Sequence, residues 1–208
     1  MTKIPKKIKN IIFDLGGVVM DLDIEKTKRA LARLGFDESM FHLHNNGGEE
    51  NVFLLLERGF IPEEVFFSRL KTIVGKPVST KQLISAWNAM ILGFNPLKIK
   101  LLLELKPKFR TFLLSNTNVI HIKRCNEIIS GKYNMNSLND LFEKTYYSYE
   151  TGLRKPEPDI FELVIRENNL IPSETLFIDD SKEHLETARL LGIKTLLLER
   201  NASLTLDP

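Results

Sequence analysis

Cysteine is almost absent: Cys125 is the single one in 208 residues. One thiol cannot form an intramolecular disulfide framework, so packing must hold the fold, and the chain fits a reducing, cytoplasmic setting. Long apolar runs are missing as well. The basic start MTKIPKKIKN leads into an apolar run that Asp14 interrupts almost at once, which leaves no room for the apolar region of a signal peptide. No window approaches the roughly 20 apolar residues of a membrane span. Charge of one sign is lacking too: 29 Lys and Arg stand against 27 Asp and Glu, a formal charge of +2. That balance argues against nucleic acid or an acidic membrane surface as a partner. Internal repeats and low-complexity tracts do not occur.

What is present is an ordinary globular composition, 43% hydrophobic and 27% charged. The length suits one domain, or a core domain with a smaller insert, and can bury a core without staples. Five short apolar runs read as buried strands: NIIFD (10–14), FRTFLLS (109–115), KTYYS (144–148), TLFID (175–179) and KTLLLE (194–199). Helix-length amphipathic segments separate most of them, the pattern of a doubly wound α/β fold with a parallel sheet. Pro96 opens a helix that Pro107 stops, Pro158 sits at the first position of another, and Ser181 and Gly192 bracket KEHLETARLL. From about Leu22 to Phe94 the pattern is successive helices with no convincing strand. One ends at Leu34 before Gly35, EENVFLLLER runs up to Gly59, a third has Glu63 and Glu64 in its first turn, and a fourth opens on a capping box at Ser79 and Gln82. The expected organisation is a core of residues 1–20 and 95–208, with an all-helical cap, 21–94, inserted after the first strand.

Three of the five runs end in residues suited to chemistry: Asp14, Ser115–Asn116 and Asp179–Asp180. Lys155 lies in the loop after the third run, where Pro156 biases it toward extended backbone. In open parallel sheets ligands bind beyond the carboxyl ends of the strands, so these residues are expected to converge. Three acids together repel one another unless a divalent cation sits between them. Oxygen ligands without thiols or clustered imidazoles point to a hard ion such as magnesium. Lys155 and the Ser115–Asn116 pair are then suited to hold a phosphoryl group.

FDLGGVV, LLSNTN, the lysine of GLRKPEPD and FIDDS stand in that order, each at an expected strand end or loop. Together they resemble the four motifs of the haloacid dehalogenase-like (HAD) hydrolase superfamily, and the helical insert resembles its subfamily I cap. The resemblance covers nearly the whole chain and is to the FDLGGV-type sugar-phosphate phosphatases. It implies a Rossmann-like core and a magnesium-dependent phosphomonoester hydrolase. The substrate would be a small phosphorylated metabolite, sugar phosphates included, processed through an aspartyl-phosphate. By the same resemblance Asp14 is the nucleophile. Ser115 binds the transferring phosphoryl oxygens with Asn116 beside it, and Lys155 neutralises nucleophile and phosphate. Mg2+ is held by Asp14, Asp180 and the backbone carbonyl of Gly16, with Asp179 supporting the metal site.

Residue 16 departs from the pattern. Most phosphatases of the superfamily carry there a second aspartate, which protonates the leaving alcohol and activates water; this chain has Gly16. General acid–base catalysis contributes about 100- to 10,000-fold in rate. Three readings compete: a phosphatase whose substrate has a good leaving group, such as an anomeric sugar phosphate; a metal-independent haloacid dehalogenase; and a protein that binds a phosphorylated ligand without turnover. The first is adopted. The dehalogenase is ranked below it, because it has no comparable need for paired Asp179–Asp180 and generally carries an aromatic residue at position 16. Asp21 and Asp23, near the start of the insert, are read as linker residues or a helix cap rather than as replacement acids. His42 and His44 are read as surface residues, and His184, one turn after Asp180, as either adjacent to the metal site or facing solvent. Phe53, Phe60, Phe66, Phe67 and Trp87 are read as core of the cap, some of them open to lining a pocket.

Overall fold

Ile11, Ile12 and Phe13 are apolar in succession because the strand they form is covered on both faces, and none of the three has exposed surface. The computed structural model describes residues 2–37, 51–199, 204, 206 and 207; His42 and His44 lie outside them. In chain order the strands are β1 (Thr2–Lys3), β2 (Asn10–Phe13), β3 (Met20–Leu22), β4 (Ile91–Phe94), β5 (Arg110–Ser115), β6 (Lys144–Tyr147), β7 (Thr175–Asp179), β8 (Lys194–Leu197) and β9 (Leu206–Asp207). Strands β2 and β5 to β8 form one parallel sheet in the order β6-β5-β2-β7-β8. Each of the five expected strands is present, and the class is the doubly wound α/β fold.

The helices are α1 (Ile24–Arg33), α2 (Val52–Glu57), α3 (Glu63–Val74), α4 (Thr80–Trp87), α5 (Pro96–Leu105), α6 (Val119–Tyr133), α7 (Ser148–Thr151), α8 (Pro158–Asn168) and α9 (Lys182–Leu190). Side chains alternate across the sheet as the pleat requires. Ile11, Phe13, Leu113 and Ile178 face α5 and α6, packing with Leu102, Cys125 and Ile129. Ile12, Phe112, Leu114 and Phe177 face α8 and α9, packing with Phe161, Val164 and Ala188. Each such buried side chain stabilises by about 1.5–3 kcal/mol. Among the described residues no helix is long and apolar enough to cross a membrane.

Helix ends follow the punctuation closely. Ser79 and Gln82 close a capping box in both directions, Asn95 caps α5 by accepting from Leu97 N at 2.9 Å, and Asp23 caps α1. Ser181 occupies the N-cap position of α9, but its hydroxyl makes no capping bond.

The insert differs from expectation at its two ends. Met20–Leu22 and Ile91–Phe94 pair as an antiparallel ribbon, with Met20 opposite Phe94 and Asp21 opposite Gly93. A strand was not expected between Leu22 and Phe94, because three- and four-residue strands with a glycine lack a readable alternation. Within the insert, α1 to α4 enclose an apolar cluster of their own, including Leu31, Phe66, Leu70, Leu83 and Trp87, which Ile120 of α6 joins. Phe66, Phe67 and Trp87 are core residues as expected, and Phe53 is partly buried against them, whereas Phe60 is exposed.

Candidate active site

The sheet order fixes where chemistry can sit. From β2 the chain crosses to β5 and β6 on one side, then returns to β7 and β8 on the other, so the crossovers diverge at the carboxyl end of β2. Asp14 is the next residue. Its N–H donates to Ile178 O at 2.9 Å, continuing the ladder one step past the strand and holding the side chain beside β7. Gly17 then turns the chain at φ +78°, and a Cβ there would lie 2.5 Å from Asp180 Oδ2. The turn therefore approaches Asp180 more closely than any side chain permits.

Lys155 reaches in from the loop after β6 and is 1% exposed. Its Nζ donates to Asp14 Oδ1 at 2.6 Å and to Asp179 Oδ2 at 2.7 Å, bridging the ends of β2 and β7. The backbone of Lys155 is held in turn by Asn116. Asn116 Oδ1 accepts from Lys155 N at 2.9 Å, and its Nδ2 donates to Lys155 O at 2.8 Å. Both polar ends of the Asn116 side chain thus bind protein. Ser115, 3% exposed, ends β5 two residues past Leu113, the register partner of Phe13.

Oxygen atoms of Asp14, Asp179 and Asp180 all lie within 4.8 Å of one another. Burial pushes the Asp14 carboxyl up to about 6; Lys155 opposes that rise, and Asp179 and Asp180 add to it. Asp179 is held below the ordinary carboxylate range by Lys155 and His184, which outweigh its burial, and Lys155 is raised by the two carboxylates it bridges. Three carboxylates against one lysine leave an excess of negative charge in a largely buried site. An oxygen-only donor set with that excess fits a divalent hard cation. Asp179 accepts from Lys155 Nζ, from Ser181 N at 2.7 Å and from His184 Nδ1 at 3.1 Å, and Asp14 shares the same lysine.

A family model of the haloacid dehalogenase-like hydrolases matches residues 8–192. The chain belongs to this family. A D-ribitol-5-phosphate phosphatase from Bacteroides thetaiotaomicron is 33% identical to this hydrolase over 199 residues, 94% of each chain. The crystal structure of an HAD family enzyme from Bacteroides thetaiotaomicron, in complex with magnesium and inorganic phosphate, is similar with a TM-score of 0.85 at 37% identity, covering 95% of this chain and 98% of that one. An HAD-like family hydrolase from Porphyromonas gingivalis gives a TM-score of 0.84 at 32% identity, covering 95% and 94%.

Several neighbours of the HAD site had no clear signal in the sequence. His184 does not face away: its Nδ1 lies 3.1 Å from both oxygens of Asp179 and carries its proton toward that carboxylate, since a carboxylate held ionised can only accept. Its position in the first turn of α9 was the available clue. Ser148, fully buried, accepts from Thr117 N at 2.9 Å and ties the loop after β5 to the segment after β6. Asn118 caps α6 by accepting from His121 N. Asp21 does not stand idle as a linker residue, since its Oδ1 accepts from Lys98 Nζ at 2.8 Å.

Proposed function

We propose that this hydrolase is a magnesium-dependent phosphomonoesterase acting on a small phosphorylated sugar or sugar alcohol. The observation that carries the proposal is Asp14: a buried carboxylate at the end of the central strand, gripped by Lys155 and clustered with two further acids. Similarity to the ribitol-5-phosphate phosphatase supports the substrate class. The proposal includes the division into a core, 1–20 and 95–208, and a cap, 21–94, supported by the separate apolar cluster of the insert and the ribbon at its base.

Asp14, Asp180 and the Gly16 carbonyl would hold Mg2+, with Asp179 in support. When bound, the ion neutralises the clustered carboxylates and the charge on the phosphoryl oxygens. An Asp14 oxygen attacks phosphorus, an acyl–phosphate bond forms, and the bond to the ester oxygen breaks with its electron pair leaving on the alkoxide. Lys155 orients Asp14 through Oδ1 and places a positive charge beside the transferring group. Ser115 donates its hydroxyl to a phosphoryl oxygen, while Asn116 acts chiefly by fixing Lys155. Water then attacks phosphorus, releasing inorganic phosphate and restoring the Asp14 carboxylate.

Gly16 supplies no acid for the departing alkoxide. A sugar 1-phosphate tolerates this better than a primary sugar-alcohol phosphate, because its anomeric oxygen leaves more readily. A second reading, a protein that binds phosphorylated ligands without turnover, is favoured by the same glycine. The test is phosphate release from a panel including D-ribitol 5-phosphate and several sugar 1-phosphates, with Mg2+ or EDTA, for the natural protein and Asp14→Asn. Release that needs Mg2+ and vanishes in Asp14→Asn is expected. Release that survives EDTA would refute the metal-dependent route, and tight binding without release would establish the second reading.

A further inference from the structure

Lys155 is flanked by a crossed set of charges. Helix α2 of the insert ends in consecutive Glu57 and Arg58, and Lys155 sits between Arg154 and Glu157. Arg154 Nε donates to Glu57 Oε1 at 2.9 Å, and Arg58 Nη2 donates to Glu157 Oε1. The same Arg58 donates through Nη1 to Gly152 O at 3.0 Å. Ser148 Oγ donates to Glu57 O at 2.7 Å. Gly59 passes so close to the segment that a Cβ on it would lie 2.0 Å from Tyr149 O. Each segment thus presents one acid and one base, and each finds its opposite on the other segment. Residues 57–59 and 148–157 are fastened to each other around a lysine whose ammonium points inward.

A second fastening of the insert to the core is of different chemistry. The Trp87 ring stacks on His121 at 5.0 Å and 18°, and Trp87 Nε1 donates to Asn118 Oδ1 at 3.4 Å. Burial lowers His121 to about 4, so this attachment is neutral near pH 7. The attachment at Lys155 is built from charges and is therefore screened by salt, as is the more exposed pair of Glu63 with Lys123.

We propose that Glu57, Arg58, Arg154 and Glu157 are positioning residues that hold the Lys155 loop through the insert, so that seating of the insert and placement of Lys155 Nζ between Asp14 and Asp179 are one event. The proposal rests on the reading of Lys155 as a catalytic group. Asn116 fixes the Lys155 backbone from the sheet side and the charge clamp fixes its neighbours from the insert side. Lys155 needs both, since a lysine has four rotatable bonds and no rigid plane to orient it. Arginine at positions 58 and 154 suits the task, because its planar fork binds a carboxylate or carbonyl in a set direction.

The test is a charge reversal in the full chain: Glu57→Arg, Arg154→Glu, and the two combined. Glu57 ends α2, where a cation suits the helix dipole, so loss in Glu57→Arg is not a helix effect. Hydrogen exchange of the amides of residues 149–157 is read first because it needs no substrate. In Glu57→Arg it should accelerate roughly 5- to 10-fold and return to within about twofold of the natural protein in the combined variant. On the best phosphomonoester, kcat should fall and recover in parallel with KM changed less than about twofold. Unchanged exchange in Glu57→Arg, or no recovery in the combined variant, would overturn the proposal. If Glu57→Arg does not fold, Glu57→Gln removes the same pair and is scored by the same exchange. A protein that releases no phosphate at all would defeat the proposed function, while exchange still decides the clamp.

Discussion

Asp14→Asn should abolish phosphate release and yet make the metal-free protein more stable. Burial and the neighbouring carboxylates raise the Asp14 carboxyl from 3.8 to about 6 despite Lys155 at 2.6 Å. An acid raised on folding binds its proton more tightly in the native state, so ionised Asp14 opposes folding. The sign follows: stability is lost as pH rises from about 4 to 6, and the full penalty applies above pH 6. A rise of roughly two units corresponds to about 3 kcal/mol, and with Lys155 and Asp179 sharing the site we take about 1–3 kcal/mol. Asparagine imitates the neutral acid in shape and still accepts from Lys155, so the variant should gain that amount in EDTA at pH 7.5. For a chain of this size, melting should rise by roughly 2–7 °C. The assay is urea unfolding of both proteins in EDTA from pH 4 to 8. The gap should open between pH 4 and 6, and saturating Mg2+ should close or reverse it by binding the ionised site. A variant less stable than the natural protein at pH 7.5 in EDTA would show that Lys155 more than offsets the burial of Asp14.

Three further outcomes follow from the same geometry. Gly16→Asp has no positive φ to overcome and would meet the end of the Leu22 side chain at 2.5 Å, a rotamer change costing about 0.5–1.5 kcal/mol. It should raise kcat on alkyl phosphates by roughly 100-fold and leave aryl phosphates nearly unchanged, since phenolate departs without a proton; an equal gain on both would refute the missing-acid argument. Gly17→Ala places a methyl against Asp180 at φ +78°, so Mg2+ affinity measured by titration calorimetry should fall roughly 10- to 100-fold. In the same variant the left-handed backbone costs about 1–2 kcal/mol of stability. His121 is lowered from 6.5 to about 4 by burial, and stability should be lost as pH falls from about 6.5 toward 4. The residue as a whole is only half-buried, which trims the loss to about 2 kcal/mol; unfolding of His121→Gln should lack that dependence.

The five strands of the main sheet could be read from sequence because strands covered on both faces become continuous apolar runs. The end of such a run is where a lone aspartate or serine stands out. Asp14, Ser115, Asp179 and Asp180 were visible for that reason, as were the helix boundaries, since caps and turns are set by neighbours a few residues apart. By itself, then, the sequence determined the fold class, the strand ends where the acidic and hydroxyl side chains gather, and the glycine where an acid was expected. The tertiary structure decided what depends on partners far apart in the chain. The β3–β4 ribbon pairs Met20 with Phe94, Asp21 is answered by Lys98, and Glu57 meets Arg154 across 97 positions. It also decided that the Asn116 side chain grips Lys155 and that His184 turns to Asp179. Local pattern encodes which face of an element is buried; which side chain waits across the gap depends on how the elements pack, and no short window of sequence contains that.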